Sequence, residues 1–229
     1  MAQKPKKAEK DSRLSLTREG ILEAALELAD RDGIEKLTMR RLAEHLGSAP
    51  MSMYYHIPSK DRLIDAMVES VFARIRTPPE ELPWKPAIRV RFQSARAVLT
   101  RHWWAPPLME SRRLPGPENL RHHNAVIGCF RRAGFSLELC AHAYAVLDSY
   151  LYGFAFEEAS LPSQSDGGMQ DIGGSMMDEL RNGGFEHLAE LAGELVLKPG
   201  YSFGDSFEFG LDLILDGLER AMRNEVRRR

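Results

Sequence analysis

Apolar residues in this 229-residue chain recur every three or four positions, and past residue 86 the period-two alternation of a half-buried strand is missing. That spacing commits the chain to helices. Ala87–Trp104, Pro117–Arg132, Leu137–Glu158, Phe185–Leu197 and Phe207–Arg223 each read as one, so the expected fold class is all-α. Apolar residues make up 43% of the chain and its formal net charge is −2, which excludes the apolar-poor, highly charged composition of a disordered protein. The length suits one large domain or two small ones. The longest apolar-rich stretch, Ala141 to Ala155, is broken by His142, Asp148 and Ser149 and is too short to span a bilayer, so no membrane partner is expected. The start, MAQKPKKAEKDSR, lacks the apolar run of a secretory signal, and two cysteines, Cys129 and Cys140, point to a reducing cytoplasm.

Local punctuation divides the front of the chain. Residues 1–13 read as a disordered basic tail. Thr17 is placed to cap a first helix, with Leu16 and Ile21 as a hydrophobic staple, and Gly33 stops it. Thr38 caps a second, between the staple pair Leu37 and Leu42, which ends at Leu46-Gly47. Pro50 suits the first position of a third, where its missing N–H costs nothing. Ser59 then caps a fourth helix carrying Leu63, Met67, Val71 and Ile75, closed by Thr77-Pro78-Pro79. The Pro-rich run Pro78 to Pro86 sets the expected boundary between domains of residues 14–76 and 77–229. Between Leu161 and Phe185 six glycines mark a mobile connection, with one short helix at Ser175–Arg181.

Two short helices joined by a Gly-containing turn, Thr38–Leu46 and Pro50–His56, have the form of a helix-turn-helix. In that motif the second helix lies in the DNA major groove. Ala49, Pro50, Met51 and Ser52 then face base edges, Ser52 with a hydroxyl and Met51 with apolar atoms for thymine methyls. Thr38, Arg40, Tyr54, Tyr55, His56 and Lys60 complete the candidate DNA set, with Tyr54, Tyr55 and Lys60 assigned to phosphates. Charge agrees: residues 1–76 carry 14 Lys+Arg against 12 Asp+Glu, while the remainder is acidic.

The run from Leu16 to Met67 resembles the DNA-binding domain of the TetR family of bacterial transcriptional repressors. The likeness rests on Ala24-Ala25, on G-x-x-x-L-T-x-R-x-L-A-x-x-L-G from Gly33 to Gly47, and on Y-Y-H-x-x-x-K from Tyr54 to Lys60 with Leu63 following. Ala49 and Pro50 depart from it, since family members often place polar base-reading side chains there. A looser likeness to the tetracycline-repressor type of C-terminal domain continues through Leu114-Pro115-Gly116-Pro117, Arg131 to Phe135 and Phe207 to Glu219. The resemblance implies a larger helical domain for ligand binding and dimerisation, and a homodimer that binds a near-palindromic DNA operator and is released by a small hydrophobic or aromatic effector. It implies no enzymatic activity and no cofactor.

The body supplies candidates for both roles. Leu137–Phe156 is apolar nearly all round, and Phe207, Leu211, Ile214, Leu215 and Leu218 form a stripe at helical spacing; with Leu147 and Leu151 these are the expected dimer interface. Gly210 and Gly217 allow close helix approach. His102, Trp103, Trp104, Met109, His142, Tyr144, Tyr150 and Tyr152 are the candidate effector contacts, aromatic walls with a few polar handles. Two alternatives stand beside this reading. A metal-responsive regulator would use a histidine with Cys129 or Cys140, although no metal ligand is assigned. A helical esterase would use Ser206, because Phe203-Gly204-Asp205-Ser206 spells a nucleophile motif, though here it opens a late helix instead of following a strand.

Overall fold

A computed structural model describes residues 16–111, 116–161 and 177–228. Every regular element among the described residues is helical. The described residues form two compact units that part between Ser70 and Val71. The expected tail 1–13 and most of the glycine-rich stretch, residues 162–176, lie outside the described residues.

In the first unit α1 (Arg18–Asp32), α2 (Met39–His45), α3 (Pro50–His56) and the start of α4 (Lys60–Arg74) follow the caps in the sequence. The Thr17 hydroxyl accepts from the Gly20 N–H at 3.0 Å, Thr38 from Arg41 at 3.1 Å and Ser59 from Arg62 at 3.2 Å. Gly33 and Gly47 hold φ of 87° and 61°, conformations that favour glycine, where α1 and α2 stop. Ile21, Ala25, Ala29, Leu37, Leu42, Ala43, Met53, Leu63 and Met67 fill the core. Arg41 ties α2 to the end of α1 through Asp32 at 2.8 Å.

In the second unit α8 (Leu137–Ser160) packs against α5 (Trp84–Arg101), α7 (Pro117–Arg132) and α11 (Ser206–Arg228). Trp84, Phe130 and Phe135 stack at one end, with centroids 4.9–6.0 Å apart. A ladder of charges sets α5 against α11: Lys85 on Asp216 and Glu219, Arg89 on Glu208 and Asp212, Gln93 on Glu208. The last turn of α4 belongs to this unit, where Val71, Phe72 and Ile75 are buried. The compact units therefore part inside α4, ahead of the Pro-rich run.

Several elements differ from the sequence reading. The helix expected over Ala87–Trp104 runs three residues earlier, and His102, Trp103 and Trp104 lie in a turn before a short unanticipated helix, α6 (Pro106–Ser111). Residues 177–182 are helical (α9), overlapping the expected short helix whose first residues are not described. The segment expected as Phe185–Leu197 is α10 (Glu186–Leu191) continued by a π-type turn, Ala192–Val196.

Candidate DNA-binding and effector sites

Helix α3 is held by little. Met53 is its one buried side chain, with Ile57 just beyond, so Ala49, Pro50, Met51, Ser52, Tyr54 and Tyr55 stand exposed. Met51 is 78% and Tyr55 89% exposed, large apolar surfaces on a seven-residue helix. A folded chain offers such side chains to solvent at a recognition surface. His56 is half-buried with its ring edge-on to Tyr55 at 5.4 Å, and Thr38 and Arg40 are exposed at the start of α2. Arg40 is paired with Glu44 at 2.9 Å and must exchange that carboxylate for a phosphate to contact DNA. Lys60 opens α4 beside the Ser59 cap.

The candidate effector residues divide into three groups. His102 and Trp104, in the turn after α5, and Met109 on α6 are buried, with the His102 ring 6.1 Å from Trp104 and 3.4 Å from an Arg74 nitrogen. Tyr144 and Tyr152 are half-buried on one face of α8, and the Tyr144 hydroxyl meets His123 Nε2 of α7 at 2.6 Å. Burial pushes the Tyr144 phenol far above its ordinary pKa, so it stays a neutral hydroxyl. The others face elsewhere. Trp103 is exposed, His142 points outward beside Glu138, and Tyr150 turns to α11, donating to the Phe207 carbonyl at 2.9 Å and stacking on its ring. His142 and Tyr150 share α8 with Tyr144, but a helix distributes such spacings over different faces.

Of the expected dimer stripe, Leu147, Leu151, Phe207, Leu211, Leu215 and Leu218 are buried within the single chain and Ile214 is half-buried. What α8 and α11 leave uncovered is a neighbouring face: Val146 and Phe156 on the first, Phe209 and Leu213 on the second. Gly210 is required inside the chain, where a Cβ would overlap the Tyr150 ring.

Sequence reasoning missed the polar interior. Arg91 of α5 and His122 of α7 are 1% and 0% exposed. Neither ring nitrogen of His122 and neither Nε nor Nη1 of Arg91 has a hydrogen-bond partner among the described residues. The signal was present: each sits in phase with its helix's apolar stripe, Arg91 with Ala87, Ile88, Ala95 and Leu99, and His122 with Val126, Cys129 and Phe130. No group of three metal-ligating side chains occurs among the described residues, and no helix there is long and apolar enough to cross a membrane.

An exposed second helix in a helix-turn-helix, followed by a larger helical body with a few buried polar side chains, is the arrangement of a DNA-binding transcriptional regulator. The chain belongs to the TetR family: residues 21–67 match the bacterial regulatory proteins of the tetR family and residues 77–222 the tetracyclin repressor-like C-terminal domain. It is 36% identical over 163 residues to an HTH-type transcriptional regulator of Saccharopolyspora erythraea, covering 70% of this chain and 69% of that protein. With the HTH-type transcriptional repressor DrrR1 of Streptomyces coeruleorubidus it shares 30% identity over 214 residues, 90% of this chain and 78% of the relative. Among solved structures, ActR of Streptomyces coelicolor in complex with actinorhodin superposes with a TM-score of 0.70 at 26% identity, covering 90% of this chain and 98% of ActR. Regulators of this family act through DNA, not as enzymes.

Proposed function

We propose that this chain represses transcription as a homodimer on a near-palindromic operator in the cytoplasm and leaves it when a small, largely apolar or aromatic effector binds the second unit. Residues 14–76 serve as the DNA-binding domain and 77–229 as the effector and dimerisation domain. The observation that carries the reading is the exposure of α3 around Met53, its one buried side chain. Met51 and Ser52 are suited to base edges; Tyr54, Tyr55, Lys60 and, once freed from Glu44, Arg40 to phosphates. Among the candidate effector residues His102, Trp104, Met109, Tyr144 and Tyr152, buried or half-buried, are the contacts this reading favours. The coupling element is α4, whose last turn carries Phe72 against the His122 ring at 6.1 Å, so a ligand that moves that ring acts on the helix leading back to α3.

Selection from random double-stranded DNA tests the reading. A pair of half-sites related by two-fold symmetry and about one helical turn apart is expected. Tyr54→Phe with Lys60→Ala should weaken binding to every sequence and flatten its salt dependence, because phosphate contacts release counterions. Ser52→Ala should instead alter the ranking of operator variants by about 1 kcal/mol. Purified protein without sequence preference would overturn the proposal.

A further inference from the structure

The fold buries a guanidinium that no group among the described residues neutralises. Among the described residues Arg91 is the largest fully buried side chain and its Nε and Nη1 are unpartnered there; its guanidinium lies over the Phe92 ring at 4.7 Å. No carboxylate among the described residues pairs with it. A guanidinium cannot shed its proton to escape this position. Its cost is offset only by a counter-charge, and ion pairing in such surroundings is strong because water does not compete.

Neighbouring helices present polar groups to the same interior. On α7, His122 has both ring nitrogens unpartnered, and one turn away the Asn119 side-chain oxygen is buried and equally unpartnered. The Phe72 carbonyl favours the protonated ring but stands outside hydrogen-bonding geometry with either nitrogen. His123 of α7 and Tyr144 of α8 feel the Arg91 charge as His122 does. Asp148 of α8 acts on His123 and Tyr144 and makes no ion pair with Arg91. Buried polar groups left open on two helices at once are groups shaped for a visitor.

We propose that Arg91, with His122 and Asn119 beside it, anchors an effector that is an organic acid: an apolar body, set among Phe72, Phe92 and their neighbours, carrying an ionised carboxylate or a comparable oxyanion. The proposal rests on the effector-receptor reading above and gives that effector its charge. Arg91 supplies charge-assisted donors, and a ligand hydroxyl is met by Asn119. The anion neutralises a buried charge left uncompensated among the described residues, so effector binding and stabilisation of the second unit are linked.

Two dyes that differ in one group test this on the full-length chain. Anilinonaphthalene sulfonate is an aromatic anion; phenylnaphthylamine is the same ring system without the sulfonate, and both brighten in apolar surroundings. The wild type should hold the anion at one saturable site about tenfold more tightly than the neutral dye, the worth of one buried charge-assisted hydrogen bond. Arg91→Met should erase that preference, leave the neutral dye within about threefold, and raise the melting temperature of the ligand-free protein by removing an unpaired charge. Arg91→Lys should retain part of the preference. Equal binding of the two dyes by the wild type, or a preference that survives Arg91→Met, would overturn the anchor while leaving the receptor reading intact. So would an Arg91→Met chain that melts lower or fails to fold, because the guanidinium would then be structural. Binding of neither dye would overturn the receptor reading and the anchor together.

Discussion

Folding puts the His122 ring out of reach of water, near Arg91 and Arg121, and holds its pKa at about 4 instead of the usual 6.5. Desolvation is the main cause; the two guanidinium groups add to it, while the Phe72 carbonyl and Glu118 oppose it. The consequence for stability has a definite sign. Above pH 6.5 the ring is neutral in both folded and unfolded chains. Between 6.5 and 4 only the unfolded chain takes up a proton, so stability falls as the pH falls, by a total of about 3 kcal/mol. His123, also depressed by burial, contributes in the same direction. Urea titrations at several pH values between 7.5 and 4 should show this loss in the wild type, with the larger part of the slope gone in His122→Leu. An unchanged slope in the variant would assign the acid sensitivity to other groups.

At the scale of elements, what could be read from the sequence was what is local. Thr17, Thr38 and Ser59 cap helices with their own side chains, and Pro50 starts α3, so the helices of the first unit lie where their capping residues placed them. Helix α6 escaped because Pro106-Pro107 followed by only four residues reads as a loop. Arg91 escaped because an arginine in Arg89-Val90-Arg91 reads as a solvated face unless its phase is checked against Ile88 and Ala95. Gly210 and Gly217 look alike in sequence, yet a Cβ at the first would overlap Tyr150, while a Cβ at the second meets nothing within this chain. Tyr150 is fixed between Phe154 and Phe207 and by the Phe207 carbonyl, so it cannot give way freely. Gly210→Ala should therefore destabilise the second unit by about 2 kcal/mol through overpacking of α8 on α11. Adding Tyr150→Ala should recover part of that loss, a non-additivity that thermal melts of the single and double variants will measure.

For the whole molecule, the same periodicity that identified a seam on α8 and α11 could not say which of two seams it was. Phe207, Leu211, Leu215 and Leu218 form a stripe that suits a monomer core and a dimer interface equally well, and in the single chain they are buried. One face over, α8 exposes Ala141, Ala145, Ser149 and Gly153 beside Val146, and α11 exposes Phe209 and Leu213. Small residues let helices approach closely, and the large apolar ones supply the area that a self-complementary two-fold contact needs. The proposed homodimer is accordingly placed on this face, and two substitutions two residues apart separate it from the core. Leu215→Arg puts a charge into the chain's own interior and should leave no folded protein. Leu213→Asp changes a side chain that is 57% exposed in the single chain, so each chain should keep its helical signal and cooperative melt. In the dimer the same aspartate meets its symmetry mate in a desolvated seam, at a cost of several kcal/mol. Sedimentation at micromolar concentration should then show a dimer for the wild type and a folded monomer for Leu213→Asp, with operator affinity lost alongside, because one helix-turn-helix reads only half of a palindrome. A Leu213→Asp protein that still sediments as a dimer would place the interface elsewhere on the second unit, and a wild-type monomer would end the homodimer proposal.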